Sequence, residues 1–161
     1  MTPNITTLPK IHLIGQNIKT SFANDETVEL WRSFMSRKKE VRHQKDDNLY
    51  SVEIYPNSSF FDAFDPTKTF EKWAAISVSK IEEIPKDMEA LTIPEGLYAV
   101  FHYKGKPSEA MDTFQYMYGE WLPNSAYEMD GRPFFALMGE AYKGEHPDSE
   151  ESFWLPIKHK S

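Results

Sequence analysis

A chain of 161 residues with 40% hydrophobic and 27% charged content has the size and balance of one globular domain with a substantial buried core. Its net charge of -7 repels phosphate backbones and anionic lipid, which argues against direct nucleic-acid or membrane partners. The lack of cysteine excludes disulfides, thiolate chemistry and Cys-bearing zinc sites, and fits a cytoplasmic location.

The N-terminal "MTPNITTLPKIHLIGQNI" does not have the early basic residues and apolar run of a signal peptide, and no uncharged apolar stretch approaches the about 18 residues of a spanning helix. From about Leu8 to Ser21 the pattern is strand-like. A helix is expected over 25–38, with Asn24 as its cap and a stripe of Thr27, Leu30, Trp31, Phe34 and Met35. The basic run "RKKEVRHQK" at 37–45 reads as the solvated end of that helix. Two strands follow, "LYSVEIY" at 49–55 and "FEKWAAISVS" at 70–79, bounded by Pro56, Pro66 and Pro85.

After the connector "EEIPKDMEALTIPEG" the order recurs. "LYAVFHYKG" at 97–105 is apolar or aromatic on both faces, as in a strand buried on both sides. A second helix is expected over 108–122, with Ala110, Phe114, Met117, Tyr118 and Trp121 on its stripe and a stop at Pro123. A strand over 133–142 and a last one at "FWLPIK" complete the chain. The reading is therefore an α+β fold and a single domain spanning 1–161, with pseudo-repeats at about 6–80 and 90–161. Two strand-helix-strand-strand halves form an antiparallel sheet with two main helices and a central ligand groove.

Within "FFALMGEAY" at 134–142, alternation puts Phe134, Ala136, Met138 and Glu140 on one face and Phe135, Leu137 and Gly139 on the other. The first face suits a cavity wall. Tyr98, Phe101, Tyr118 and Trp121 are the aromatic candidates to join Phe134, Ala136, Met138 and Glu140 around a ligand. Glu53, opposite in parity to Tyr50, Val52 and Ile54, reads as solvated.

Catalytic chemistry has little support. The five histidines follow neither HxH nor HExxH spacing, His102 alone lies in a buried-looking strand, and there is no GxSxG, Walker or GxGxxG motif. No metal, cofactor or catalytic residue is assigned.

The segments "ETVELWRSFMSRKKEV", "IPEGLYAVFHYKG", "GEWLPNSAYEMDGRPFF" and "GEAYKGEHPDSEESFWLPIK", in this order, closely resemble the GyrI-like family, also called the AraC-type effector-binding domain. The resemblance covers nearly the whole chain. It implies the duplicated fold and a hydrophobic groove for small, often aromatic and cationic molecules. In multidomain relatives the module is the drug-sensing part of transcription activators; no DNA-binding domain is read in these 161 residues. Relatives commonly carry a pocket Glu directly after the Phe matched by Phe135; here that position is Ala136, so cations are not the expected preference. The expected function is binding of small, flat, largely apolar or aromatic molecules, for sequestration or sensing. The alternatives are hydrolysis of reactive, cyclopropane-type electrophiles, weakened by Ala136, and a gyrase-inhibitor-like protein-binding role.

Overall fold

Phe70–Val78, "FEKWAAISV", is buried along nearly its whole length, and such a strand needs cover on both faces and pairing on both edges. The structure, a computed structural model that describes residues 2–57, 60–61 and 65–161, supplies both. The strands are β1 (Asn4–Leu8), β2 (Ile11–Thr20), β3 (Leu49–Ile54), β4 (Phe70–Val78), β5 (Glu89–Ile93), β6 (Gly96–Lys104), β7 (Tyr127–Met129), β8 (Phe134–Met138) and β9 (Glu150–His159). Eight run in the order β1-β6-β9-β8-β3-β4-β2-β5, every neighbouring pair antiparallel, and β7 pairs with β9.

That order is symmetric about the β3/β8 contact. β2, β3 and β4 make one three-strand unit, β6, β8 and β9 the other, and α1 (Thr27–Arg37) and the second helix stand at matching places in the chain. The outermost strands are exchanged: β1 adds to β6 of the second unit, and β5 adds to β2 of the first.

The two faces of the sheet are covered differently. On one, α1 sets Leu30 and Phe34 against Ile14, Ala74 and Ile76, and the second helix sets Ala110 and Met117 against Ala99, Phe101, Phe134, Ala136 and Phe153. The other face carries Leu13, Val52, Trp73, Ile93, Tyr98 and Phe135, all nearly inaccessible and packed into one cluster formed by strands alone. A flat sheet would leave that face wet, so the sheet curls until residues of β2 and β5 share a cluster with residues of β6 and β8. Gly15 of β2 is required by the tight local pairing with β4, because a Cβ there would lie 2.1 Å from the carbonyl oxygen of Ala74.

Several expectations change. The strand expected from about Leu8 to Ser21 is β2, beginning only at Ile11; β1 precedes it as an unexpected strand, with Pro9 between the two, and the connector before Gly96 contains β5. α1 begins at Thr27, where Asp25 Oδ1 accepts the Thr27 amide at 3.0 Å, so Asn24 is not its side-chain cap; Met35 is exposed. β8 ends at Met138, which leaves Glu140 exposed in the following turn. His102 is exposed and pairs with Glu150 at 2.8 Å, because it lies at the wet end of the helix-free face.

The second helix does not stop at Pro123. α2 (Met111–Tyr116) passes into a π-helical stretch, Met117–Trp121, and then a last α-helical turn, Leu122–Asn124. The Leu122 amide donates five residues back to Met117. Pro123 has no N–H for Gly119 and its ring would crowd that carbonyl in a regular α-helix, so the wider turn directly before it relieves both conflicts.

Candidate functional site

Met111, Gln115, Tyr118 and Leu122 recur at three- and four-residue steps and so form one stripe of the second helix. This stripe, with Phe114, Gly119 and Pro123, forms one wall of a half-open cavity of about 950 Å³. Glu53 and Tyr55 from the end of β3 form a second wall, with Phe22, Phe61 and Pro66 beside them. β7 and the end of β9 close the third side with Tyr127, Glu128, Met129, Lys158 and Lys160. The volume lies within the range of small-molecule sites.

The aromatic packing is dense at the β3 end. Phe61 stacks on Tyr118 with ring centroids 4.4 Å apart, and Tyr55 lies 4.8–5.3 Å from Phe60, Phe61 and Phe70. These faces suit offset stacking with a flat ring.

Among the described residues, every charge that borders the cavity has a partner. Glu53, with only 14% of its side chain exposed, accepts Lys72 Nζ at Oε1 at 2.8 Å, and the Tyr55 hydroxyl donates to its Oε2. Glu128 pairs with Lys158 at 3.8 Å, and Lys160 Nζ donates to the Pro123 carbonyl at 2.9 Å. Burial, and after it the negative charge of Glu53, push the phenols of Tyr55 and Tyr118 well above their ordinary range, so both stay protonated. Among the described residues the Tyr118 hydroxyl has no hydrogen-bond partner although it is buried.

Of the residues picked from sequence, Tyr118 lines this cavity. Phe101, Phe134 and Ala136 lie beneath the second helix in a closed apolar cluster, where Trp121 meets Phe101 edge-on at 5.3 Å. Tyr98 is on the opposite face of the sheet, its hydroxyl donating to the Pro133 carbonyl at 2.7 Å and its ring 4.8 Å from the Arg132 guanidinium. Met138 is buried, and Glu140 points into solvent beyond β8. The structure therefore does not bring these eight into one site. Sequence reasoning missed the rest of the lining, Tyr55 and Phe61 among it, and misread Glu53, taken as solvated but held largely buried by its ion pair across β3 and β4. Its register carried the signal: Glu53 stands opposite Lys72 on one side and Phe134 on the other. No cluster of potential metal ligands occurs among the described residues, and none of their helices is long and apolar enough to cross a membrane.

A family model described as GyrI-like small molecule binding domain matches residues 1–158. The transcriptional regulator BrlR of Pseudomonas aeruginosa is 24% identical over 158 residues, covering 98% of this chain and 56% of the regulator, so the chain spans about half the length of that relative. Among solved structures, SAV2435 bound to tetraphenylphosphonium superposes with a TM-score of 0.73 at 16% identity over 98% of this chain and 94% of that one. A hydrolase encoded by lin2189 from Listeria innocua superposes with a TM-score of 0.60 at 14% identity, over 98% and 92% of the two chains. At these identities the structural likenesses establish the fold.

Proposed function

The chain belongs to the GyrI-like small-molecule-binding family, and from that premise we propose that its cavity takes up flat, largely apolar or aromatic molecules for sensing or sequestration. The observation that carries this reading is the aromatic wall of Tyr55, Phe61 and Tyr118 on a half-open cavity in which each bordering charge among the described residues is already partnered. Such a lining favours stacking and apolar burial over recognition of net charge. The tetraphenylphosphonium bound by SAV2435 is itself a body of aromatic rings, which supports aromatic contact as the shared element.

The test is a thermal-shift panel of flat aromatic compounds, since a ligand that binds only the folded state raises the melting temperature. Gly119 borders the cavity, and a Cβ added there meets no atom within 4 Å. A side chain can therefore start from this position, and Gly119→Phe, which places a ring at the cavity border, should weaken or abolish the shifts. Equal shifts in both proteins would put the binding elsewhere.

A second reading, hydrolysis of a reactive electrophile, is favoured by one observation: a half-buried carboxylate and a phenol, Glu53 and Tyr55, are hydrogen-bonded to each other at the cavity. A carboxylate and a phenol so placed can exchange a proton with a bound water. A mass change in a bound electrophile on incubation, lost in Glu53→Gln, would establish turnover.

A further inference from the structure

Lys72 does not border the cavity, yet it touches the group that gives the cavity floor its charge. It projects from β4 directly opposite Glu53, both residues are largely shielded from water, and their contact is 2.8 Å. From the cavity, Glu53 and Lys72 together present an ion pair, not a net negative charge. A ligand cation entering there would lose its hydration without gaining an unmatched counter-charge. We infer that Lys72 is the specificity-determining residue of the cavity: by holding Oε1 of Glu53 it keeps the floor electrically neutral and so selects uncharged aromatic ligands over cationic ones. The inference rests on the binding function proposed above and goes one step further, to a residue that acts through its neighbour.

The arrangement at Glu53 makes the assignment specific. Tyr55 holds Oε2 and Lys72 holds Oε1, so both oxygens are engaged, and only Lys72 brings charge. The cations at the open side, Lys158 and Lys160, have their own partners in Glu128 and the Pro123 carbonyl and do not contact Glu53. Removing the ammonium while keeping the length of the side chain leaves a largely buried carboxylate at the cavity wall without its counter-charge, and a flat cation in the cavity can then supply the missing charge. Lys72 thus works as a positioning residue with an electrostatic output.

The experiment titrates the full chain with two flat probes of one shape, N-methylacridinium as the cation and acridine, uncharged at about pH 8, as the neutral compound. The readout is the ratio of cation to neutral affinity in the wild type, Lys72→Met, Lys72→Arg and Glu53→Gln. The expected result is a ratio raised by about tenfold or more in Lys72→Met, restored towards the wild-type value in Lys72→Arg, and lowered in Glu53→Gln, which leaves Lys72 unmatched. A merely structural role would weaken both probes together and leave the ratio unmoved. An unchanged ratio in Lys72→Met, with the neutral probe still bound, overturns the inference while the binding function stands. Should Lys72→Met not fold, the Glu53→Gln arm decides alone, and a ratio that does not fall overturns the assignment. Failure of the wild type to bind either probe overturns the binding function and this inference together.

Discussion

Ser51 of β3 and Ala136 of β8 stand directly opposite each other, and two residues further along the same pair of strands Glu53 faces Phe134. The carboxylate of Glu53 thus reaches in from the neighbouring strand, while Ala136 fits into an apolar cluster with Phe101, Met117 and Phe153.

Placing a carboxylate at Ala136 is therefore expected to damage the protein. Ala136→Glu would bury an unpaired acid among aromatic rings, one strand away from Glu53, and should cost about 2–4 kcal/mol. Urea denaturation of the variant beside the wild type checks this. Unchanged stability would mean that the position has open space, and that the cavity extends under the second helix.

Tyr118 behaves differently because its buried hydroxyl has no partner among the described residues. Tyr118→Phe should leave the empty protein as stable as the wild type, or raise stability by up to about 1 kcal/mol, since no native hydrogen bond is lost and a buried polar group is removed. Ligands that accept a hydrogen bond should bind the variant more weakly, and ligands without an acceptor should not distinguish the two proteins. Calorimetric titration with a matched ketone and hydrocarbon pair separates these outcomes.

Glu151 gives a pH dependence of defined sign. It lies on β9, buried, with Oε2 lacking a partner among the described residues. Burial raises its pKa from 4.5 to about 7, with the charge of Lys72 opposing the shift and that of Glu145 adding to it. The folded state therefore holds this proton more tightly than the unfolded state. The resulting stability is fully present below the ordinary carboxyl pKa and is lost as pH rises through about 7. Glu151→Gln, neutral at all pH values, should match the wild type near pH 4.5 and exceed it by roughly 1–3 kcal/mol above neutrality. Thermal melts across that window check the sign; a variant less stable than the wild type at high pH would show that the carboxylate has a partner in solution.

The strands bounded by proline and built from alternating or continuously apolar residues, β3, β4 and β6, were legible within one or two residues. β1 and β5 were not, because five half-exposed residues without alternation become strands only where β6 and β2 offer an open edge. At the site, helical spacing pointed to Tyr118. Glu53 escaped because the apolar parity of Tyr50 and Val52 was taken as the single buried side. In fact the sheet is covered on both faces, one by its own curl and one by the helices, and alternation cannot reveal a second cover. The π-helical stretch was likewise hidden, although Pro123 marked the place where a regular helix could not continue.

The exchange of edge strands also governs how the chain reaches this structure. Among the described residues, 4–8 find their strand partner in residues 96–100 alone, so that segment stays unfinished until more than half of the chain is available. Pairing of β5 with β2 closes a second long loop in the opposite sense. Contacts so distant in sequence must meet the cost of loop closure before burial rewards them, which slows folding relative to a protein of local contacts. During synthesis, β2 would carry a bare edge until β5 emerges, and the two halves would complete each other late and together rather than one after the other.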